Sequence, residues 1–192
     1  VPIPRAKSPR QLYREVCSYD RVITPDGPLA SAINRQLDRP HLGPFAIPPR
    51  RLAAGRREES EDRLAFLDII ADEDLSWKRC AYAVGNILQC WEHQASHDSI
   101  FEYDAYVDEA TTRAVERIAE LDTASMKLTT ETIDPAHDIV VIEPAMLTQL
   151  EQSYLPAEYD TVSLFTNEAF EMSPVRIHDS PTAIVETVVD AV

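Results

Sequence analysis

Glycine is scarce in this chain, at four in 192 residues (Gly27, Gly43, Gly55 and Gly85), and lysine is scarcer, at three (Lys7, Lys78 and Lys127). A loop that cradles phosphates needs glycines so that backbone N–H groups can approach the oxygens, and a Lys with Ser or Thr for charge and Mg²⁺. None of the four glycines belongs to G-x-x-x-x-G-K-[ST], so ATP binding in the usual manner is not expected, and no cofactor is implied. G-x-S-x-G, H-E-x-x-H and C-x-x-C are missing as well, which removes the familiar signatures of hydrolases, zinc proteases and dithiol redox proteins. Three cysteines (Cys17, Cys80, Cys90) make no disulfide framework and fit a reducing compartment. Apolar runs such as Ile139–Ile142 fall far short of the ~20 residues that span a bilayer. The start, Val1–Lys7, has charge but no apolar segment after it, unlike a secretion signal. The expectation is a soluble, cytoplasmic protein with no membrane partner.

What is present is acid. Lys+Arg 18 stands against Asp+Glu 33, for a net charge of −15 and a pI of about 4.6. Many carboxylates with few lysines suit a protein working in concentrated salt, where screening cancels self-repulsion and hydrated carboxylates keep the surface soluble. A halophilic cytoplasm is therefore expected, and acidic pairs are weak evidence of acid–base catalysis. The charge is uneven. Residues 1–57 hold 11 basic and 4 acidic side chains, while the remainder holds 7 and 29. Such asymmetry points to a basic face with an anionic partner, or to arginines that neutralise an acidic neighbour within the fold. The apolar fraction of 44% is that of a folded domain, and a core of this length buries roughly 70% of the surface an unfolded chain exposes.

Along the chain, Tyr19–Thr24 reads as a short buried strand ended by Pro25-Asp26-Gly27-Pro28. Leu29, Ile33 and Leu37 recur at helical spacing, with Asp26 or Gly27 near the N-cap, and Arg39-Pro40 stops the helix. Phe45–Ile47 predicts a second strand, and Pro48-Pro49 opens another helix. Three helical stripes follow: Leu64, Leu67 and Ile70; Trp77, Ala81, Val84, Leu88 and Trp91; and Ala114, Ile118 and Leu121. Asp138–Glu143 is a β-branched strand, followed by a helix through Met146, Leu147 and Leu150. Tyr159–Phe165 and Val175–Ile177 predict further strands, and Ile184, Val188 and Val192 a closing helix. Strand–helix alternation of this kind implies α/β architecture, a mainly parallel sheet flanked by helices, with an inserted helical subdomain. The division expected is 1–48 with 133–192 for the sheet, and 49–132 for the insertion.

Two constellations invite chemistry. Cys90, His93 and His97 share a helix face, with Cys80 upstream, but i and i+7 differ by about 10.5 Å of rise, too far for one ion held by ~2 Å bonds. No metal is expected there. Likewise His178-Asp179-Ser180 is adjacent only in sequence, and reads as a strand end and helix cap. The second constellation is Arg50, Arg51, Arg56 and Arg57, which open a helix directly after the second strand. Paired arginines at a helix start oppose its dipole unless an anion compensates. Nucleic-acid phosphates would do so, and so would Glu58, Glu59, Glu61 and Asp62 just downstream.

This order of parts resembles the first lobe of UvrD-type helicases, closest to the AddB- and RecC-like branch of helicase–nuclease subunits. The words that carry it are the strand entering the Thr24–Ser31 turn, Arg50-Arg51-Leu52-Ala53, and Val140-Val141-Ile142-Glu143 with its trailing helix. The resemblance implies a degenerate P-loop NTPase-like fold over residues 18–192. Thr24, Asp26 and Gly27 would stand at the ATP-binding loop, which here lacks its Gly, Lys and Thr, and Glu143 at the Mg²⁺-coordinating acid. Arg50 and Arg51 would fall where relatives touch single-stranded DNA. It further implies an ATPase-dead domain serving DNA recombination or repair, the N-terminal part of a longer protein, with other lobes or subunits as partners. Two alternatives stay open: a structural scaffold module within such an assembly, and a small-molecule enzyme of doubly wound α/β class.

Overall fold

A computed structural model describes residues 3–55, 76–121 and 123–170. The predicted stripe at Leu64, Leu67 and Ile70, the elements expected over 175–192, and the His178–Ser180 triplet lie outside the described residues, as do Arg56 and Arg57. In chain order come β1 (Ile3–Ala6), α1 (Pro9–Val16), β2 (Arg21–Ile23), α2 (Gly27–Asn34), β3 (Ala46–Ile47) and α3 (Pro49–Ala54). After the next described stretch begins, α4 (Trp77–Gln94), α5 (Glu109–Ile118) and α6 (Ala124–Thr130) precede β4 (Ile139–Ile142), α7 (Gln149–Ser153), β5 (Asp160–Val162) and β6 (Phe165–Phe170). Two compact units result. Residues 1–7 and 165–192 form one, whose described part is the antiparallel pair β1–β6, and Ser8–Leu164 forms the other.

The larger unit is built on a four-stranded sheet in the order β3-β2-β4-β5, with every pairing parallel. Arg21 faces Ile139 and Ile23 faces Val141 across the central pair. Side chains alternate between the two faces, as a pleated strand requires. Ile23, Ile47, Ile139 and Val141 enter a core with Cys80, Ile87 and Trp91 of α4, Ala114 and Ile118 of α5, and Leu150 of α7. Val22, Ala46, Val140 and Ile142 enter the opposite core with Leu12 and Val16 of α1 and Ile33 of α2. With both faces covered, β4 reads as an unbroken apolar run, fully buried along its length. The doubly covered parallel sheet agrees with the α/β class read from the sequence.

The compact units divide at Lys7/Ser8 and Leu164/Phe165. Helices α4 to α6, read from the sequence as part of an inserted subdomain over 49–132, share one apolar core with a face of the sheet. Local expectations shift for local reasons. The buried stripe of α4 runs through Cys80, Ala83, Val84, Ile87 and Trp91, so Trp77, one residue after the Ser76 N-cap, is 58% exposed. Met146 sits in a 3-10 turn, Pro144–Met146, because Glu143 takes a left-handed conformation ahead of Pro144. The helix begins later, at the Thr148/Glu151 capping box. The single strand expected over 159–165 is two, β5 and β6, separated at Ser163-Leu164. Among the described residues no helix is long and apolar enough to cross a membrane.

Candidate functional site

In an open parallel sheet, ligands bind outside the carboxyl ends of the strands where the strand order reverses. Here β2 leads through α2 to β3 on one side, while β4 pairs on its other side. The reversal therefore falls between β2 and β4, and the residues that follow them are Thr24–Gly27 and Glu143. Four sequence-predicted residues, Thr24, Asp26, Gly27 and Glu143, thus occupy the one place where such a sheet offers a site.

Three of the four are engaged by the protein itself. Thr24 is buried; its N–H donates to the Ile47 carbonyl at 3.2 Å and its hydroxyl to the Asp26 carbonyl at 3.0 Å, closing the turn. Asp26 is the N-cap of α2, and its Oδ1 accepts from the Leu29 N–H at 2.7 Å. A carboxylate thus stands at the helix N-terminus that would otherwise draw a phosphate. Gly27 has no positive φ, and a Cβ there would meet open space, so neither backbone freedom nor close approach requires a glycine. Glu143 holds φ at 48°, and its Oε2 accepts from Ser163 Oγ at 3.0 Å and from the Leu164 N–H at 2.9 Å. That carboxylate ties the end of β4 to the turn after β5.

The arginines separate into two kinds. Arg50 reaches from α3 to two other helices: its guanidinium donates to Ser125 Oγ of α6 at 2.9 Å and to Glu92 Oε1 of α4 at 2.5 Å. Both members of the ion pair are only about one-third exposed, 35% and 37%. Arg51, one residue on, faces outward and lines a cleft of about 490 Å³ with Ser31, Asn34, Arg35, Pro44 and Ala46. Asn34 closes the outer edge of β3, because its amide accepts from the Ala46 N–H and donates to the Ala46 carbonyl, both at 2.8 Å. This protects an edge strand. Arg35, which the sequence reading does not single out, carries no motif; the excess of basic residues over 1–57 is the only signal that could have drawn attention to it.

Among the described residues no trio of His, Cys, Asp or Glu comes together as a metal site. Cys80 is a core residue, and the Cys90 thiol is pushed up by burial and then by the nearby Glu102 carboxylate. The His97 ring packs on Trp91 with centroids 5.6 Å apart. A cleft of about 1080 Å³ lies between residues 135–139 and 156–161, at the amino-terminal ends of β4 and β5. That is the end of the sheet opposite Thr24 and Glu143. No family model matches this chain, and comparison with curated proteins and with solved structures likewise finds no match.

Proposed function

We propose that this chain is a non-catalytic, ATPase-dead α/β domain of degenerate P-loop, UvrD-like layout, acting in a halophilic cytoplasm and contacting single-stranded DNA in recombination or repair. The observation that carries the non-catalytic part is Asp26, whose carboxylate caps α2 at 2.7 Å where a nucleotide phosphate would have to sit. Glu143, whose Oε2 accepts from Ser163 and Leu164, supports the same reading, since that oxygen serves the fold rather than Mg²⁺. The DNA part rests on the layout and on Arg51, a cation at the sheet margin that faces solvent. Arg56 and Arg57 belong to the same proposal on sequence grounds. Other lobes or subunits of a helicase–nuclease-like assembly are the proposed protein partners.

A second reading, a scaffold module, is favoured by Arg50, because a guanidinium that joins α3 to α4 and α6 serves the fold rather than a ligand. Fluorescence anisotropy of a labelled oligothymidylate, titrated with the intact chain from low to molar KCl, separates the two. Saturable binding that weakens with salt is expected of the DNA-contacting domain. Absence of binding at the lowest salt that keeps the protein folded overturns that reading and leaves the scaffold.

A further inference from the structure

One cleft is lined by two arginines. The cleft shared by Arg35 and Arg51 has no aspartate or glutamate in its lining, in a chain with 33 acidic residues. Neither arginine forms an ion pair or hydrogen bond through its side chain among the described residues. Arg35 has an acidic neighbour three residues on, Asp38, but that carboxylate receives the Tyr13 hydroxyl at 2.5 Å. Arg39, the next arginine, donates to the Tyr19 carbonyl at 3.2 Å and lies over the Phe45 ring. Arg50 is taken up by Glu92 and Ser125. The neighbouring cations thus have partners, while Arg35 and Arg51 both line the same open cleft. Both also sit at helix C-termini, Arg35 as the C-cap of α2 and Arg51 in the last turn of α3. A cation is mildly favoured there, which explains one arginine at each position but not an acid-free cleft between them.

The geometry points to this cleft as a phosphate-binding site, formed by the Arg35 and Arg51 guanidiniums, with Ser31 also in the lining. Guanidinium forks match phosphate oxygens bidentately and are weakly hydrated, which suits an anion taken from concentrated salt. The inference rests on the DNA reading for its preferred ligand, a phosphodiester of a single strand, and it moves the contact from Arg50 to Arg35. A free polyphosphate offers the same chemistry, so both are probed.

The test compares the intact chain with Arg35→Gln/Arg51→Gln, and with Arg14→Gln as a charge control on α1. In oligothymidylate anisotropy the double variant is expected to lose at least tenfold in affinity. Its slope of log affinity against log salt falls by about 0.7, the loss of one neutralised phosphate. The control stays within about twofold on electrostatic grounds. If wild type binds DNA and the double variant behaves as the control does, the cleft is overturned while the DNA reading stands. If wild type does not bind DNA, thermal shift with inorganic pyrophosphate decides. A rise in Tm present in wild type and lost in the double variant sustains the cleft as a site for a free phosphate compound. No rise, or an equal rise in both proteins, overturns it. Melting temperature without ligand confirms that each variant folds.

Discussion

Replacing Arg50 with alanine should damage the fold before it damages any binding. The side chain donates to Ser125 at 2.9 Å and to Glu92 at 2.5 Å, bridging α3 to α6 and α4. Fully buried charge-assisted hydrogen bonds contribute ~1.5–3 kcal/mol each. Here the ion pair is 35% and 37% exposed, so solvent screening brings it toward the ~0.2–1 kcal/mol of surface pairs. Adding the neutral-acceptor bond to Ser125, the loss for Arg50→Ala comes to about 1–2 kcal/mol. For a domain of this length that is a fall in Tm of about 3–6 °C. A double-mutant cycle with Glu92→Ala, followed by thermal melts at several KCl concentrations, isolates the pair. The expected coupling is ~0.5–1 kcal/mol at low salt, shrinking as salt rises. A coupling below about 0.3 kcal/mol, within ordinary additivity error, together with an unchanged Tm, would refute the assignment of Arg50 to the fold and return it to the list of candidate DNA contacts.

Further outcomes follow from the other caps and ties. Asp26→Ala should cost about 1 kcal/mol and Asp26→Ser much less, since a hydroxyl can still cap α2; chemical denaturation reads the difference. Gly27→Ala should leave stability within about 0.5 kcal/mol, because φ is not positive there and a Cβ meets open space. Asp108, the N-cap of α5, gives a pH-dependent case. Its carboxyl is held below the usual range first by the Thr111 N–H, against a smaller opposing effect of burial, and then by Arg79 and the Thr111 hydroxyl. With the folded pKa lowered, its stabilisation is present above the unfolded value near 3.9 and is lost as pH falls through the folded one. Asp108→Ala should therefore be less stable by about 1 kcal/mol at pH 6, with the gap closing below about pH 4. Urea melts across that range would contradict this if the gap were constant.

The sheet was legible because its strands are short and β-branched. Ile139–Ile142 could be read as a strand buried on both faces directly from its composition. A cap at Asp26 or Gly27 and the proline opening of α3 were also legible, since turn chemistry is local. Positions that depend on tertiary neighbours did not. The face of α4 that is buried is set by what it packs on, so the stripe that includes Trp77 and the one through Cys80 and Ile87 are hard to separate by spacing alone. At the break between β5 and β6, Ser163 and Leu164 bond the Glu143 carboxylate, a partner 20 and 21 residues upstream that local pattern does not reveal. Arg50 and Arg51 are neighbours of the same chemistry in sequence. Only the presence of Glu92 and Ser125 near one of them shows that it is used internally.

At the switch point between β2 and β4, Thr24, Asp26 and Glu143 are bonded to the protein's own groups. Isothermal titration of Mg²⁺-ATP into the intact chain, with Glu143→Gln and Asp26→Ser alongside, tests this directly. The prediction is no saturable heat at millimolar nucleotide and no phosphate release, in wild type and Glu143→Gln alike. Saturable binding by wild type that Glu143→Gln abolishes would contradict it, and would make Thr24–Gly27 and Glu143 a working nucleotide site.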